Sequence, residues 1–319
     1  MDTLGIDISK NTFDVALHRN GKFKHKKFKN NVAGFNELSQ WLLKQNAGQL
    51  HACMEATGMY GERLADYLYE QGMDISVVNP ARIKGFAQSE LARNKTDKLD
   101  ASLIARFCAA VKPELWKPEA AEIKALRALV RHLDSLVEMR QQERNRLESA
   151  HSDIVNIIQT HIDYLTQTIE EVQNQIDDHI NRHPGLKNNK QLLESIPGVG
   201  RATAQVILSE CASIDRFDGA KSLASFIGVA PKIVQSGQSV KGRSRMTKTG
   251  RSALRKSLFL PAMVCLRYNP IIKAFGERLA ANGKTKMQVI GAAMRKLAHI
   301  IYGVLKHQRP FDENYFTQA

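Results

Sequence analysis

Residues 3–18 read TLGIDISKNTFDVALH, and the reading of this stretch decides the fold. Two apolar runs, 3–8 and 12–18, have the composition of short strands, with a tight Ser-Lys-Asn turn between them. Residues 23–29 alternate weakly and suit a third, edge-like strand. Residues 32–45 then carry Val32, Phe35, Leu38, Leu42 and Leu43 at helical spacing. His51 to Ala56 reads as a strand, and Gly58 opens a helix with Leu64, Tyr67 and Leu68 on one face. Ile75 to Val78 is a buried strand, ended by a turn at Asn79-Pro80. From Thr96 a helix runs to Val111 with Leu99, Leu103, Ile104 and Phe107 as its stripe. The order βββαβαβ, then helix, predicts a mixed sheet with helices on its faces. It is the element order of a ribonuclease-H-like domain.

Beyond residue 120 the pattern changes. Ile123, Leu126, Val130, Leu133 and Val137 repeat at three and four, as do Ile162, Leu165, Ile169, Val172 and Ile176. This predicts two heptad-like helices, antiparallel around a bend. The register carried on from Val137 puts Arg140, Arg144 and His151 in the seam, which must open there or meet something polar. His183-Pro184-Gly185 ends that element. In residues 190–210 two short apolar helices flank Ile-Pro-Gly-Val-Gly. The arrangement resembles a helix–hairpin–helix, whose glycine turn lets backbone N–H groups approach a phosphate. Residues 252–268 and 285–307 return to apolar helices.

The chain has 319 residues, a length that suits two globular domains and a small third element. Its formal net charge is +14, and the excess is local. Residues 184–310 hold 22 Lys and Arg against 5 Asp and Glu, whereas residues 1–183 are nearly neutral. Solubility does not require such asymmetry, but a polyanion partner does, and nucleic acid is the leading candidate. The four cysteines have no C-x-x-C spacing and are too sparse for a disulfide scaffold, which fits a reduced, cytoplasmic protein. The start, MDTLGID, is not that of a signal peptide, and no apolar run approaches the ~20 residues of a membrane span.

Four acids stand out in the first domain. Asp7 lies within an apolar strand, where a carboxylate is costly unless it is paired, metal-bound or at the rim. Glu55 ends the second buried strand, and Asp97 and Asp100, three apart on a helix, share a face. Singly, each has a structural use. Asp7 suits a turn cap, Glu55 and Asp97 suit helix caps, and Asp100 suits a pair with Arg106 or Lys98. Together they occupy the positions where a ribonuclease-H-like domain gathers carboxylates at one sheet edge. Such a cluster binds Mg²⁺ and supports phosphoryl transfer.

Residues 231–251 read PKIVQSGQSVKGRSRMTKTGR, rich in Gly, Ser, Lys and Arg. Lys241, Arg243, Arg245, Lys248 and Arg251 are candidate nucleic-acid contacts. Ser236, Ser239 and Ser244 are candidate nucleophiles, which composition cannot rank. A serine nucleophile needs a base or a metal, and no histidine lies nearby in sequence.

GIDISK, CMEATGMYG, VVNPARIKGFAQSE, RNKTDKLDA, LLESIPGVGRATA, SGQSVKG and GRSALRKSLFLPAM occur in that order along the chain. They resemble the DEDD-type insertion-sequence transposases, relatives of the pilin-gene invertases, some of which are bridge-RNA-guided recombinases. The resemblance covers nearly the whole chain. It implies a RuvC-like domain over 1–115, a coiled-coil linker over 116–184 and a mainly helical transposase domain over 185–319. It assigns the metal, Mg²⁺ or Mn²⁺, to Asp7, Glu55, Asp97 and Asp100, and the nucleophile to Ser236. Gln238 stands where the family often has a small residue. The resemblance also implies donor and target DNA, a guide noncoding RNA and a homo-oligomer, dimer or tetramer, in which the composite site forms between subunits. The bacterial cytoplasm is the expected location, nucleoid-associated when DNA is bound. No G-x-x-x-x-G-K-[ST] loop is present, consistent with a covalent intermediate that conserves phosphodiester energy.

These readings converge on an RNA-guided, site-specific DNA recombinase. A RuvC-like junction-resolving nuclease is the first rival; it needs neither Ser236 nor the basic block. A non-catalytic nucleic-acid-binding module is the second, and it leaves the four acids unexplained.

Overall fold

Strand β1 (Asp2–Ile8) buries Leu4, Ile6 and Ile8 on one side of a five-stranded sheet. A computed structural model describes residues 2–56, 58–90, 97–211, 213–232, 235–236, 240–241 and 245–314, the side chains of Met59, Asp97, Lys98, Gln235, Ser236, Val240 and Lys241 excepted. The chain divides into two units, Met1–Pro118 and Glu119–Ala319.

In the first unit β2 (Thr12–Arg19) and β3 (Lys22–Lys29) continue the meander. Asn20 and Gly21, both at positive φ, turn the chain between them, the backbone that a two-residue hairpin with right-handed twist requires. Helix α1 (Val32–Lys44) leads to β4 (Leu50–Glu55), and α2 (Met59–Glu70) to β5 (Asp74–Val78). The strand order is β3-β2-β1-β4-β5, with the first three antiparallel and β1, β4 and β5 parallel. The expected mixed sheet is therefore present. One element differs from expectation. Asn79-Pro80, read as a turn, starts helix α3 (Pro80–Ser89). Asn79 Oδ1 accepts from Ala81 N at 2.9 Å, and Pro80 occupies the first turn, where its missing N–H costs nothing.

The two sheet faces have different partners. Phe35, Leu38 and Leu42 of α1 and Leu64, Ala65 and Leu68 of α2 join Leu4, Ile6, Phe13, Val15 and Met54 in one core. Helix α4 (Asp97–Val111) covers the other face, where Leu103, Ile104, Phe107 and Cys108 meet Cys53, Val78 and Ile83. Gly5 makes this close approach feasible. A Cβ there would lie 2.0 Å from Ala101 O and 2.3 Å from Ala105 N. Gly5→Val is accordingly expected to push α4 off the sheet at a cost of about 3 kcal/mol. Thermal denaturation checks this, and a wild-type midpoint would show that α4 does not dock so closely.

The second unit is helical. Helices α5 (Ala121–Leu147) and α6 (Ser152–Arg182) run antiparallel, as His179 Nε2 near Glu122 O (2.8 Å) and Arg140 Nη1 near Thr166 Oγ1 (3.5 Å) show. The seam register departs from expectation past Leu133. Leu136 and Glu143 face inward, while Val137, 39% exposed, and Arg144 face out. The step from Leu133 to Leu136 is three residues where the heptad count has four, and the inward position stays one residue earlier from there on. Arg140 does point across the seam, but the buried polar group is Glu143, held by Arg146 at 2.7 Å and His161 at 3.5 Å. His151 instead caps α6.

Helices α7 (Pro184–Glu194), α8 (Arg201–Cys211), α9 (Ala220–Ile227), α10 (Ser252–Tyr268), α11 (Pro270–Ala281) and α12 (Lys286–His307) share one continuous core with α5 and α6. The turn between α7 and α8 contains Gly198 at φ +99°, where a Cβ would meet Cys265 Sγ at 2.6 Å. Cys265 Sγ also donates to Pro197 O at 3.1 Å. Packing against α10 therefore suffices to require glycine at 198, whereas a Cβ at Gly200 would meet open space. Among the described residues no single helix is long and apolar enough to cross a membrane.

Candidate active site and basic segment

Three contacts locate the acids. Thr3 Oγ1 donates to Ala105 O at 3.0 Å, and Gly5 abuts Ala101 and Ala105. Two residues along a strand advance about 6.8 Å, close to the 6 Å of four helical residues. Asp7, the next residue on that face, thus lies level with the first turn of α4. That turn carries Asp97, its first residue, and Asp100, half-buried. The side chain of Asp97 lies outside the described part.

Glu55 reaches the same place from β4. Gly5 is in register with Cys53 and Ile6 with Met54, so Glu55 follows beside Asp7 at the carboxyl end of the parallel pair. Cys53 faces α4, and its hydrogen bond with Cys108, then burial, push its thiol far above the usual range. Arg82 of α3 acts in the opposite direction on that thiol, and Glu55 adds to the rise. Burial also pushes Cys211 up to about 12 and Cys265 to about 11. All four cysteines are buried and free, so none presents the exposed thiol a nucleophile needs. Arg106, one sequence candidate for pairing with Asp100, bridges to Glu90 at 3.0 Å.

The fold thus brings Asp7, Glu55 and the start of α4 to one end of one sheet face. Among the described residues, no three His, Cys, Asp or Glu side chains close up into a metal-holding group, Asp97 standing outside that comparison. The donors are all carboxylate oxygens, the set that suits a hard divalent cation over a soft one. Sequence reading missed a further acid on this face. Asp14 of β2 is the cross-strand partner of Asp7 and pairs through Nζ–Oδ2 at 3.0 Å with Lys27 of β3. The signal was available, since Asp14 interrupts an apolar strand as Asp7 does.

The basic segment forms two small antiparallel ribbons. β6 (Pro231–Lys232) pairs with β9 (Arg245–Met246), and β7 (Gln235–Ser236) with β8 (Val240–Lys241). Ser236 is opposite Val240 in its ribbon. Ser239, Arg243 and Ser244 lie outside the described residues. Arg245 and Lys248 are exposed. The segment returns to the end of α9 through Thr247 N–Ala230 O, Lys248 N–Gly228 O and Arg251 N–Phe226 O, at 2.9, 3.2 and 2.9 Å. Gly250, at φ +149°, has Phe226 O where a Cβ would be.

A buried charge network lies at this anchor. Glu210, whose side chain is 3% exposed, accepts from Arg131 at 2.7 Å and faces Arg251 at 3.7 Å. Arg127 donates to Ser209 O at 2.8 Å and pairs with Glu119, which Arg216 also approaches at 3.7 Å. These guanidiniums hold Glu119 in its charged form against burial. Arg251, counted above among the nucleic-acid contacts, thus also serves the interior, and its guanidinium lies over the Phe226 ring at 5.6 Å.

A transposase family of the DEDD, IS110 type matches residues 4–155, and the family described as Transposase IS116/IS110/IS902 matches residues 190–277. A pilin gene-inverting protein of Moraxella bovis is 37% identical over 314 residues, 97% of each chain. The transposase for insertion sequence element IS1111A of Coxiella burnetii is 23% identical over 97% of this chain and 90% of its own.

Proposed function

The chain belongs to the IS110 family of transposases, DNA-recombining proteins, and we propose that it is an RNA-guided, site-specific recombinase that cuts and exchanges strands through Ser236 and the acids Asp7, Glu55, Asp97 and Asp100. The observation that carries this reading is the meeting of Asp7, Glu55 and the first turn of α4 at one end of one sheet face. The strand order β3-β2-β1-β4-β5 supports a RuvC-like, ribonuclease-H-like first domain. The antiparallel pair α5–α6 supports the coiled-coil linker, and the helices that follow it make up the transposase domain.

The four carboxylates would hold Mg²⁺ or Mn²⁺, which when bound supplies Lewis-acid stabilisation of charge on phosphate oxygens. Ser236 Oγ loses its proton and attacks the phosphorus of the target linkage. A serine–phosphate bond forms, the strand's own P–O bond breaks, and the leaving oxygen departs as a hydroxyl. Attack by the hydroxyl of the incoming strand reverses these changes and frees Ser236, so no external energy source is consumed. The name of the gene-inverting relative fits such conservative exchange.

The basic block supplies the grip on nucleic acid, and the resemblance names DNA, a guide RNA and further copies of the chain as partners. A protein engaging about six phosphates loses about a thousandfold in affinity between 50 and 200 mM salt. The full chain is expected to show that dependence in a filter-binding titration. A flat titration would remove the electrostatic argument. RNA of one defined sequence copurifying with the chain tests the guide assignment; purification free of RNA, with RNA-independent recombination, would leave a protein-read recombinase.

A further inference from the structure

We propose that Lys27 binds the scissile DNA phosphate at the edge of the acid row, and that Asp14 is the positioning residue that holds it there. The inference rests on the metal-dependent cutting assigned above. Its basis is strand register. Lys27 of β3 is opposite Asp14 of β2, Asp14 is opposite Asp7 of β1, and Glu55 follows Asp7's neighbour pair on β4. Directly opposed residues share a face, so one cation and three acids form a row across four adjacent strands.

Asp14 is the anomaly in that row. It is only 9% exposed and confronts a second carboxylate at cross-strand range, about 4.5–5.5 Å between Cβ atoms. Like charges so placed destabilise a sheet, and a buried carboxylate needs a partner. A neutral threonine or asparagine would fit β2 at lower cost. What the acid provides is the 3.0 Å bond to Lys27 Nζ, which fixes a long side chain that stays 53% exposed to solvent. The ammonium is thereby held at the acids' border, on a side chain that an incoming phosphate can approach from solvent.

The other lysines of β3 do not share this placement. The strand carries five, an ordinary defence of an edge strand against pairing with other chains. Alternation puts Lys22, Lys24 and Lys26 on the side of Phe28, which is buried under α1, away from the acids. Lys29 shares the acid face but sits opposite Thr12, beyond the row. Only Lys27 is in register with Asp14 and Asp7. Edge defence explains lysines that face water; it does not explain one bonded to a buried acid beside the proposed metal ligands. A fixed cation here stabilises the charge on the transferring phosphoryl group at no cost in reorganisation.

The test uses the full chain, labelled DNA carrying the recombination site, and Lys27→Gln, Lys27→Arg, Asp14→Asn and Asp7→Asn side by side. Lys27→Gln is expected to cut about 30-fold more slowly at saturating DNA, with DNA affinity nearly unchanged, and Lys27→Arg to regain most of the rate. Asp14→Asn should cut more slowly and need more Mg²⁺ for half-maximal rate, since one negative charge beside Asp7 is gone. Lys27→Gln cutting at the wild-type rate while Asp7→Asn is dead overturns the Lys27 role and leaves the metal reading standing. Equal slowing of Lys27→Gln and Lys27→Arg, each melting early, with an unshifted Mg²⁺ dependence, would make the pair structural only and also overturn it. If Asp7→Asn itself cuts normally, the metal reading fails and this inference with it.

Discussion

Asp7→Asn is expected to abolish strand cleavage, by about a thousandfold or more, while DNA and RNA binding stay within about twofold. The substitution keeps the size of the side chain and removes one charge. Asp7 is central to the row, between Asp14 on β2 and Glu55 on β4, and level with the first turn of α4. A divalent cation bound by carboxylates loses both charge neutralisation and a ligand when one of them becomes an amide. The proposed grip on nucleic acid lies elsewhere, in residues 184–310 with their 22 basic side chains, so binding should survive. The comparison is a cleavage time course in Mg²⁺ alongside a binding isotherm. Normal recombination by Asp7→Asn would sink the metal assignment and leave an acid within an apolar strand unaccounted for.

Ser236→Ala carries the second large effect. It should give no covalent protein–DNA adduct and no recombinant product, with binding retained through Lys241, Arg243 and Arg245. The backbone of Ser236 pairs with Val240, and alanine preserves that ladder, so loss of activity is not loss of fold. A denaturing gel of labelled DNA reads the result. A slow-migrating band present in wild type and lost only with Ser236→Ala supports the nucleophile. Cutting by Ser236→Ala at close to the normal rate would instead point to water as nucleophile and a junction-resolving nuclease. Should Ser239→Ala be dead and Ser236→Ala active, the covalent route stands and the serine moves.

Some of this site was legible in the residues alone. Asp7 and Glu55 could be placed on strands, and Asp97 and Asp100 on a helix, because apolar alternation and helical spacing surround them. Helix α3 was not legible, because Asn-Pro opens a helix as readily as it opens a turn, and the choice depends on what Ile83 and Phe86 pack against. The ribbons β6–β9 and β7–β8 were missed for a different reason. Their sequence has no apolar alternation, and their pairing partners lie several residues away. The inward turn of Glu143 in place of Arg144 could not be read from a seven-residue pattern, since the step from Leu133 to Leu136 is three residues where that pattern has four.

Local pattern therefore sufficed for the element order of the first unit apart from α3, the long antiparallel helices, the basic block and the family's ordered motifs. Each depends on neighbours within a turn or two of chain, or on composition. Tertiary structure alone decided which side chains meet: Gly5 under Ala101, Asp14 facing Asp7, Lys27 against Asp14, and Glu210 between Arg131 and Arg251. Strand register and helix docking are set by burial summed over residues far apart in sequence. A one-residue slip would reverse every face, so no local reading can supply them.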